Sequence, residues 1–300
     1  MSDLTTHTRE PVDPRERFPR PPFAQLKMEA PGNEKKMHPH PDHGEESYTG
    51  TGKLLGRAAL ITGGDSGIGR AIALCYAKEG ADIFFTCLPE EQADADETVR
   101  LVEAQGRRAV ALPGDIRQKA FCQHLVEQTL HLFGRLDILV NNAAFQRSHD
   151  KLEDFTEDEF DATYRTNVYG TFFMSQAAIP KMKPGGVVLN TVSIQGYEPS
   201  ENLLAYASTK AALINMTKTL AALAIKDGIR VNAVAPGPVW TPLIPATLPL
   251  TETVMFGKQS AFGRPAQPVE QAVIYVFLAS DDASYVTGEI YGATGGRMPV

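Results

Sequence analysis

From residue 54 onward, short apolar runs of strand length alternate with longer stretches of helical spacing, and few architectures accept that order. The runs are Ala58–Thr62, Asp82–Thr86, Ala109–Leu112, Ile138–Asn141, Val187–Val192, Val231–Ala235 and Glu289–Tyr291. Between most of them lie Gly67–Lys78, Glu90–Gln105, Gln118–Phe133, Glu157–Met182, Leu203–Lys226 and Pro268–Ala279, which carry the helical period. The strand segments are near-continuous in Val, Ile, Leu and Ala, so both faces of their sheet must be covered. Helices on both sides of a parallel sheet meet that requirement. The sequence therefore predicts one α/β, doubly wound domain over residues 54–300 with a seven-stranded parallel sheet.

Residues 1–53 read differently. They hold eight prolines (Pro11, Pro14, Pro19, Pro21, Pro22, Pro31, Pro39 and Pro41) and almost no periodic apolar pattern. Such a segment cannot bury enough surface to offset the entropy of ordering by itself. An extended arm is expected, disordered alone or laid across a surface through Phe18, Phe23, Leu26, Met28 and Tyr48. His38, His40 and His43 lie close together in it, but with no cysteine nearby they read as solvated polar sequence, and no metal site is expected.

Composition excludes some roles. A net charge of −7 gives no footprint for nucleic acid or an anionic membrane, and no run approaches the ~18 apolar residues of a membrane span. The N-terminal stretch lacks the apolar core of a secretory signal. Cys75, Cys87 and Cys122 are odd in number and show no C-x-x-C spacing. Reduced thiols and a cytoplasmic location are the expectation.

The first strand runs into Thr62-Gly63-Gly64-Asp65-Ser66-Gly67-Ile68-Gly69-Arg70, and a helix opens within that run. Glycine lets a tight turn bring backbone close to a pyrophosphate, and the helix N-terminus offers N–H groups and partial positive charge to the anion. A glycine triplet alone is weak, but here it follows a strand and starts a βαβ unit. Further along, Tyr206 and Lys210 lie four apart in a helical segment and so share a face. A neighbouring ammonium favours the phenolate, which would tune the tyrosine to exchange protons near neutral pH. Ser193 ends the fifth strand, thirteen residues before Tyr206, where sheets of this kind place their ligands.

The G-x-x-x-G-x-G spacing resembles that of the short-chain dehydrogenase/reductase family. Other marks of that family recur in order: Asp115, Asn141-Asn142-Ala143-Ala144, Asn167, Ser193, Tyr206-x-x-x-Lys210 and Pro236-Gly237. The Pro-rich leader, Gly64-Asp65-Ser66 and Leu88-Pro89-Glu90-Glu91 resemble a bacterial subgroup of stress-associated aldehyde reductases. Ala144 departs from the usual glycine. The resemblance implies a Rossmann-type fold and NADP or NAD as cofactor. It makes Tyr206 the acid/base, with Ser193 polarising the substrate oxygen and Lys210 touching the nicotinamide ribose. Asn167 would hold a water that links Lys210 to solvent. It places Gly63, Asp65, Ser66, Gly67, Ile68 and Gly69 on the phosphates, Leu88 at the adenosine ribose, and Asp115 with Ile116 at adenine. Asn142, Ala143 and Ala144 would line the cofactor, while Pro236, Gly237, Val239 and Thr241 would hold the carboxamide. Residues 240–263 would form a mobile cover over the substrate, with Gln195 and Tyr197 following the serine into the pocket.

The choice between NAD and NADP stays open at this stage. Cys87 stands where many NAD enzymes have an acid, and Ser66 and Leu88 stand where NADP enzymes often have arginine. The expected activity is hydride transfer between NAD(P)(H) and a small-molecule carbonyl or alcohol, with aldehyde or small-ketone reduction foremost. A sugar-alcohol or hydroxysteroid dehydrogenase, or a non-catalytic dinucleotide sensor, is the alternative. Small residues such as Ala205, Ala211, Ala212, Ala221 and Ala222, together with the family's habits, imply a homotetramer.

Overall fold

A computed structural model describes residues 11–297. The first ten residues of the arm and the last three of the domain lie outside the described residues. Seven strands form: β1 Ala58–Thr62, β2 Asp82–Cys87, β3 Ala109–Pro113, β4 Ile138–Asn141, β5 Val187–Thr191, β6 Arg230–Pro236 and β7 Ile290–Ala293. They make one sheet in the order β3-β2-β1-β4-β5-β6-β7, with every pairing parallel. This is the doubly wound, Rossmann-type sheet expected.

Covering helices follow most strands: α1 Gly67–Lys78, α2 Gln92–Glu103, α3 Lys119–Phe133, α4 Glu157–Tyr164, α5 Gly170–Ala178, α6 Leu204–Ala224, then the short α7 Leu243–Thr247 and α8 Leu250–Val254, and finally α9 Pro268–Ala279. Strand side chains alternate between two cores. Ala59, Ile61, Ile83 and Phe85 pack with Ile72 and Tyr76 of α1 and Tyr275 of α9. Leu60, Phe84, Leu139 and Val188 pack on the other face with Leu125 of α3, Met174 of α5 and Ala221 of α6.

The helix expected over Glu157–Met182 is interrupted. A π-helical turn spans Arg165–Tyr169, and a 3-10 turn spans Ile179–Lys181, which contains Pro180. Proline cannot continue an α-helical bond ladder. The π turn has a different cause, visible only in three dimensions: Asn167 turns inward to bond the loop after β4.

Within residues 11–53 the one regular element is the 3-10 turn Glu34–Lys36. These residues nonetheless pack closely on the domain. Phe23, Met28 and Met37 are buried around Trp240 in a cluster of their own, with the Phe23 and Trp240 rings 4.2 Å apart. The Trp240 indole N–H donates to the Pro39 carbonyl at 2.8 Å. Lys78 Nζ of α1 donates to the carbonyls of Gly44, Glu45 and Tyr48. The histidines divide, contrary to the expectation of a solvated group. His38 and His40 are exposed, whereas His43 is 3% exposed, its ring nitrogens 3.0 Å from Glu34 and 3.1 Å from Glu45. Two carboxylates hold it inside, which spacing along the chain could not show.

Candidate active site

Strand order reverses between β1 and β4, the point at which open α/β sheets bind ligands beyond the carboxyl ends of their strands. A cleft of about 900 Å³ opens there, reaching from the glycine loop past β4 and β5 to the segment after β6. The loops on either side are stitched together. Thr62 Oγ1 accepts from the amides of Asn142 and Ala143 at 3.0 and 3.1 Å, and the Asn142 side chain donates to the Gly63 carbonyl at 3.0 Å.

Two glycines make this turn possible. Gly67 has φ +50°, and a Cβ on Gly69 would lie 1.8 Å from the Gly63 carbonyl oxygen. Ser66 gives α1 no side-chain cap. The amide of Gly67 is taken by the Glu34 carboxylate at 2.8 Å. The next two amides, of Ile68 and Gly69, have no partner within the helix, and such amides are what a phosphate binds. The loop and cleft therefore fit a dinucleotide.

Tyr206 and Lys210 stand one turn apart on α6, with Lys210 Nζ 5.3 Å from the Tyr206 ring centroid. The ammonium donates to the Thr191 carbonyl at 2.7 Å. Ser193 follows β5, and its Oγ accepts from the Gln195 amide at 3.1 Å. Burial pushes the Tyr206 phenol up to about 12, and the Ser193 hydroxyl beside it offsets only part of that. Burial also pushes Lys210 down to about 7. Desolvation is the cause of both shifts, and a charged Lys210 would act against it on the phenol.

Asn167 sits behind the cleft. Its Oδ1 accepts from the Phe145 amide at 2.8 Å, and its Nδ2 donates to the Phe145 carbonyl at 2.9 Å and to Thr209 Oγ1 at 3.0 Å. Both amide hydrogens are spent on protein, so the side chain ties the β4 loop to α6.

The sequence-predicted residues converge. Gly63, Asp65, Ser66, Gly67, Ile68, Leu88, Asp115, Ile116, Asn142, Ala143, Ala144, Ser193, Tyr206, Lys210, Pro236, Gly237, Val239 and Thr241 all line the one cleft. Gly69 and Asn167 do not line it and instead support the loops that do. Gln195 lines it, whereas Tyr197 is absent from its walls. At the far end Cys87, Glu90 and Glu91 join Leu88. Burial and the Asp65 charge raise Glu91 to about 8. Arg117, the guanidinium on that side, is held by Asp115 through bonds of 2.8 to 3.0 Å.

Sequence reasoning missed Thr62 and Thr191, whose position at strand ends was the available signal. It also missed Ala30 and Pro31, arm residues in the cleft wall that carry no signal of their own. The opposite end is covered by α7, α8 and the residues that follow each, which present Leu243, Ile244, Leu248, Met255 and Phe256.

A phosphate-ready glycine loop at the switch point, with a serine, tyrosine and lysine beyond β5, defines a dinucleotide-dependent oxidoreductase. Comparison with known proteins agrees. A family model described as enoyl-(acyl carrier protein) reductase matches residues 63–297. General stress protein 39 of Bacillus subtilis is 46% identical over 281 residues, 94% of this chain and 98% of that protein. NADPH-dependent aldehyde reductase 1, chloroplastic, of Arabidopsis thaliana is 40% identical over 274 residues, 89% of this chain and 95% of that one. A short-chain dehydrogenase from Burkholderia cenocepacia, solved in complex with NADP, superposes with a TM-score of 0.76 at 34% identity, covering 82% of this chain and 99% of its own. The chain belongs to the short-chain dehydrogenase/reductase family, a family of NAD(P)-dependent oxidoreductases.

Proposed function

We propose that the protein reduces aldehydes or small apolar ketones, with Tyr206 as the proton donor. The observation that carries this reading is the convergence of Ser193, Tyr206 and Lys210 on one cleft whose substrate end is apolar. A bound reduced nicotinamide supplies the hydride. A phenol held near 12 is fully protonated at neutral pH, the form that can give a proton to a carbonyl oxygen as it gains charge. Ser193 steadies the same oxygen by a hydrogen bond. Lys210, anchored on the Thr191 carbonyl, lies behind the tyrosine, its Nζ 5.3 Å from the ring centroid. Asn167 acts at a distance, by holding the Phe145 loop against α6.

Two polar residues near the substrate end are already engaged. Gln146 donates to Thr247 of the cover at 2.8 Å, and Gln195 exchanges two hydrogen bonds with Ser200. With these two amides spent and Leu243, Ile244, Leu248, Met255 and Phe256 in the wall, this end suits a carbonyl on an apolar body better than a sugar alcohol.

The test is an initial-rate survey for wild type and Tyr206→Phe, of aldehydes and ketones with NADH and NADPH and of polyols with NAD+ and NADP+. The variant keeps the ring but loses the proton, so turnover should fall by ~10²-fold or more while cofactor binding persists. Turnover at the wild-type level would remove Tyr206 from the mechanism, and turnover confined to polyols with the oxidised cofactors would move the substrate class.

Phe160, Tyr169, Phe172, Leu204, Leu223 and Ile225 leave apolar surface exposed along α4 to α6, and we assign this face to assembly into an oligomer. Of the alanines that the sequence suggested for helix pairing, Ala205 and Ala221 are instead buried within this chain. Cys75, Cys87 and Cys122 are buried free thiols, and among the described residues no helix is long and apolar enough to cross a membrane. A reducing compartment, the cytoplasm, suits those thiols.

A further inference from the structure

The N-terminal arm touches both halves of the cleft. Ala30 and Pro31 form part of its wall. Three residues on, Glu34 is 2% exposed and places one carboxylate oxygen 2.8 Å from the Gly67 amide, the first amide of α1. The same carboxylate pairs with Arg70, one turn into α1, and with His43 at 3.0 Å. Arg70 in turn donates to the Asp65 carbonyl at 2.9 Å, so both ends of the Asp65–Arg70 segment are held. In the other direction the arm binds the substrate cover through backbone: Phe23 N–H donates to the Val254 carbonyl at 2.8 Å, and Met28 N–H to the Pro245 carbonyl at 3.0 Å. Lys27 Nζ reaches the Leu248 carbonyl at 3.0 Å. The solved neighbour is matched over 99% of its length yet reaches only 82% of this chain, a shortfall about the size of the arm.

We infer that the arm is a strap which sets the shape of the cofactor site, with Glu34 as the positioning residue for the phosphate-binding turn. The inference rests on the oxidoreductase reading above. Its physical interest is the sign. A carboxylate beside an anion site weakens anion binding by simple repulsion. Glu34 nonetheless sits there, neutralised by Arg70 and His43, and its geometric contribution is to fix the turn that presents the Ile68 amide. Positioning and charge therefore predict opposite effects of its removal.

The experiment measures the Kd of NADH and of NADPH by nicotinamide fluorescence, with the full-length chain well below its melting temperature. The strap predicts that Glu34→Ala weakens both cofactors by about tenfold or more, and that Glu34→Gln, which keeps an acceptor for the Gly67 amide, recovers part of the loss. Unchanged or tighter binding by a folded Glu34→Ala protein would overturn the inference. Should the Glu34 variants not fold, Ala30→Trp gives an independent answer. Ala30 is exposed in the cleft wall, so tryptophan there leaves the core intact. It should raise both Kd values at unchanged melting temperature, and wild-type Kd values would show that the arm lies outside the cofactor's reach. If wild type itself binds neither dinucleotide, the oxidoreductase reading fails instead.

Discussion

Raising the pH should loosen the arm through a single histidine. Both ring nitrogens of His43 face carboxylates, Glu34 at 3.0 Å and Glu45 at 3.1 Å, so both must carry protons and the ring is an imidazolium. Burial opposes that charge, but the two carboxylates outweigh burial and the repulsion from Arg70, and His43 is raised to about 9 from 6.5. A group whose folded pKa is raised contributes stability that is complete below its unfolded pKa and lost as pH climbs through the folded one. The window is therefore pH 6.5 to 9. At 1.36 kcal/mol per unit, the pair of values corresponds to about 3 kcal/mol. A chain of this size loses roughly 2–3 °C per kcal/mol, so the melting temperature attributable to His43 should drop by about 5–10 °C.

Other buried groups titrate nearby. Lys210, depressed to about 7, makes stability rise over part of the same range, and Glu91, raised to about 8, makes it fall. The observable is thus the difference between wild type and His43→Gln, followed by circular dichroism from pH 6 to 9.5 at constant ionic strength. Wild type should be the more stable at pH 6, and the gap should close by pH 9.5. Two melting curves that stay parallel across the range would show that His43 carries no proton linked to folding.

Three further outcomes follow from the geometry. Cys87 lines the cleft beside Glu90 and Glu91, so Cys87→Asp should weaken NADPH binding more than NADH binding through repulsion of the 2′-phosphate, and equal shifts in the two Kd values would place Cys87 away from the ribose. Asn167→Ala strands the Phe145 amide and Thr209; a loss of about 2–3 kcal/mol in stability is expected, with kcat falling more than KM, and an unaltered melting curve would count against the tie. The exposed aromatic face of α4 to α6 should give a light-scattering mass of several chains at micromolar concentration, whereas 32.6 kDa would mark a monomer.

Legibility in the sequence followed the range of the forces involved. Strand and helix positions could be read because the apolar period is local, and α1 and α9 begin and end where the pattern placed them. Ser193 could be placed at the cleft because the sheet delivers strand ends to one edge, whereas Asn142 came from the family resemblance alone. The break at Asn167 was not, since a π turn is fixed by a partner 22 residues away, the Phe145 backbone. The desolvation of Tyr206 was hidden for a related reason. The i, i+4 spacing shows that Lys210 is a neighbour, but not that the pair is desolvated, and burial decides the direction of both shifts.

The arm shows the limit most clearly. Its composition reads as unable to fold alone, which is a statement about residues 1–53 in isolation. A proline-rich chain has little entropy to lose on docking, so a few anchors suffice when a surface is waiting. Here the anchors are Phe23, Met28 and Met37 around Trp240, and the buried Glu34 and His43 at the head of α1. The apolar anchors and Glu34 are paired with groups far along the chain, and His43 with Glu34 and Glu45 of the arm itself, so none could be recognised by periodicity. A polar residue buried in such an arm is the more informative kind. An apolar anchor needs only to be covered, whereas a buried carboxylate is retained only where donors meet it, and those donors include the Gly67 amide of the cofactor turn.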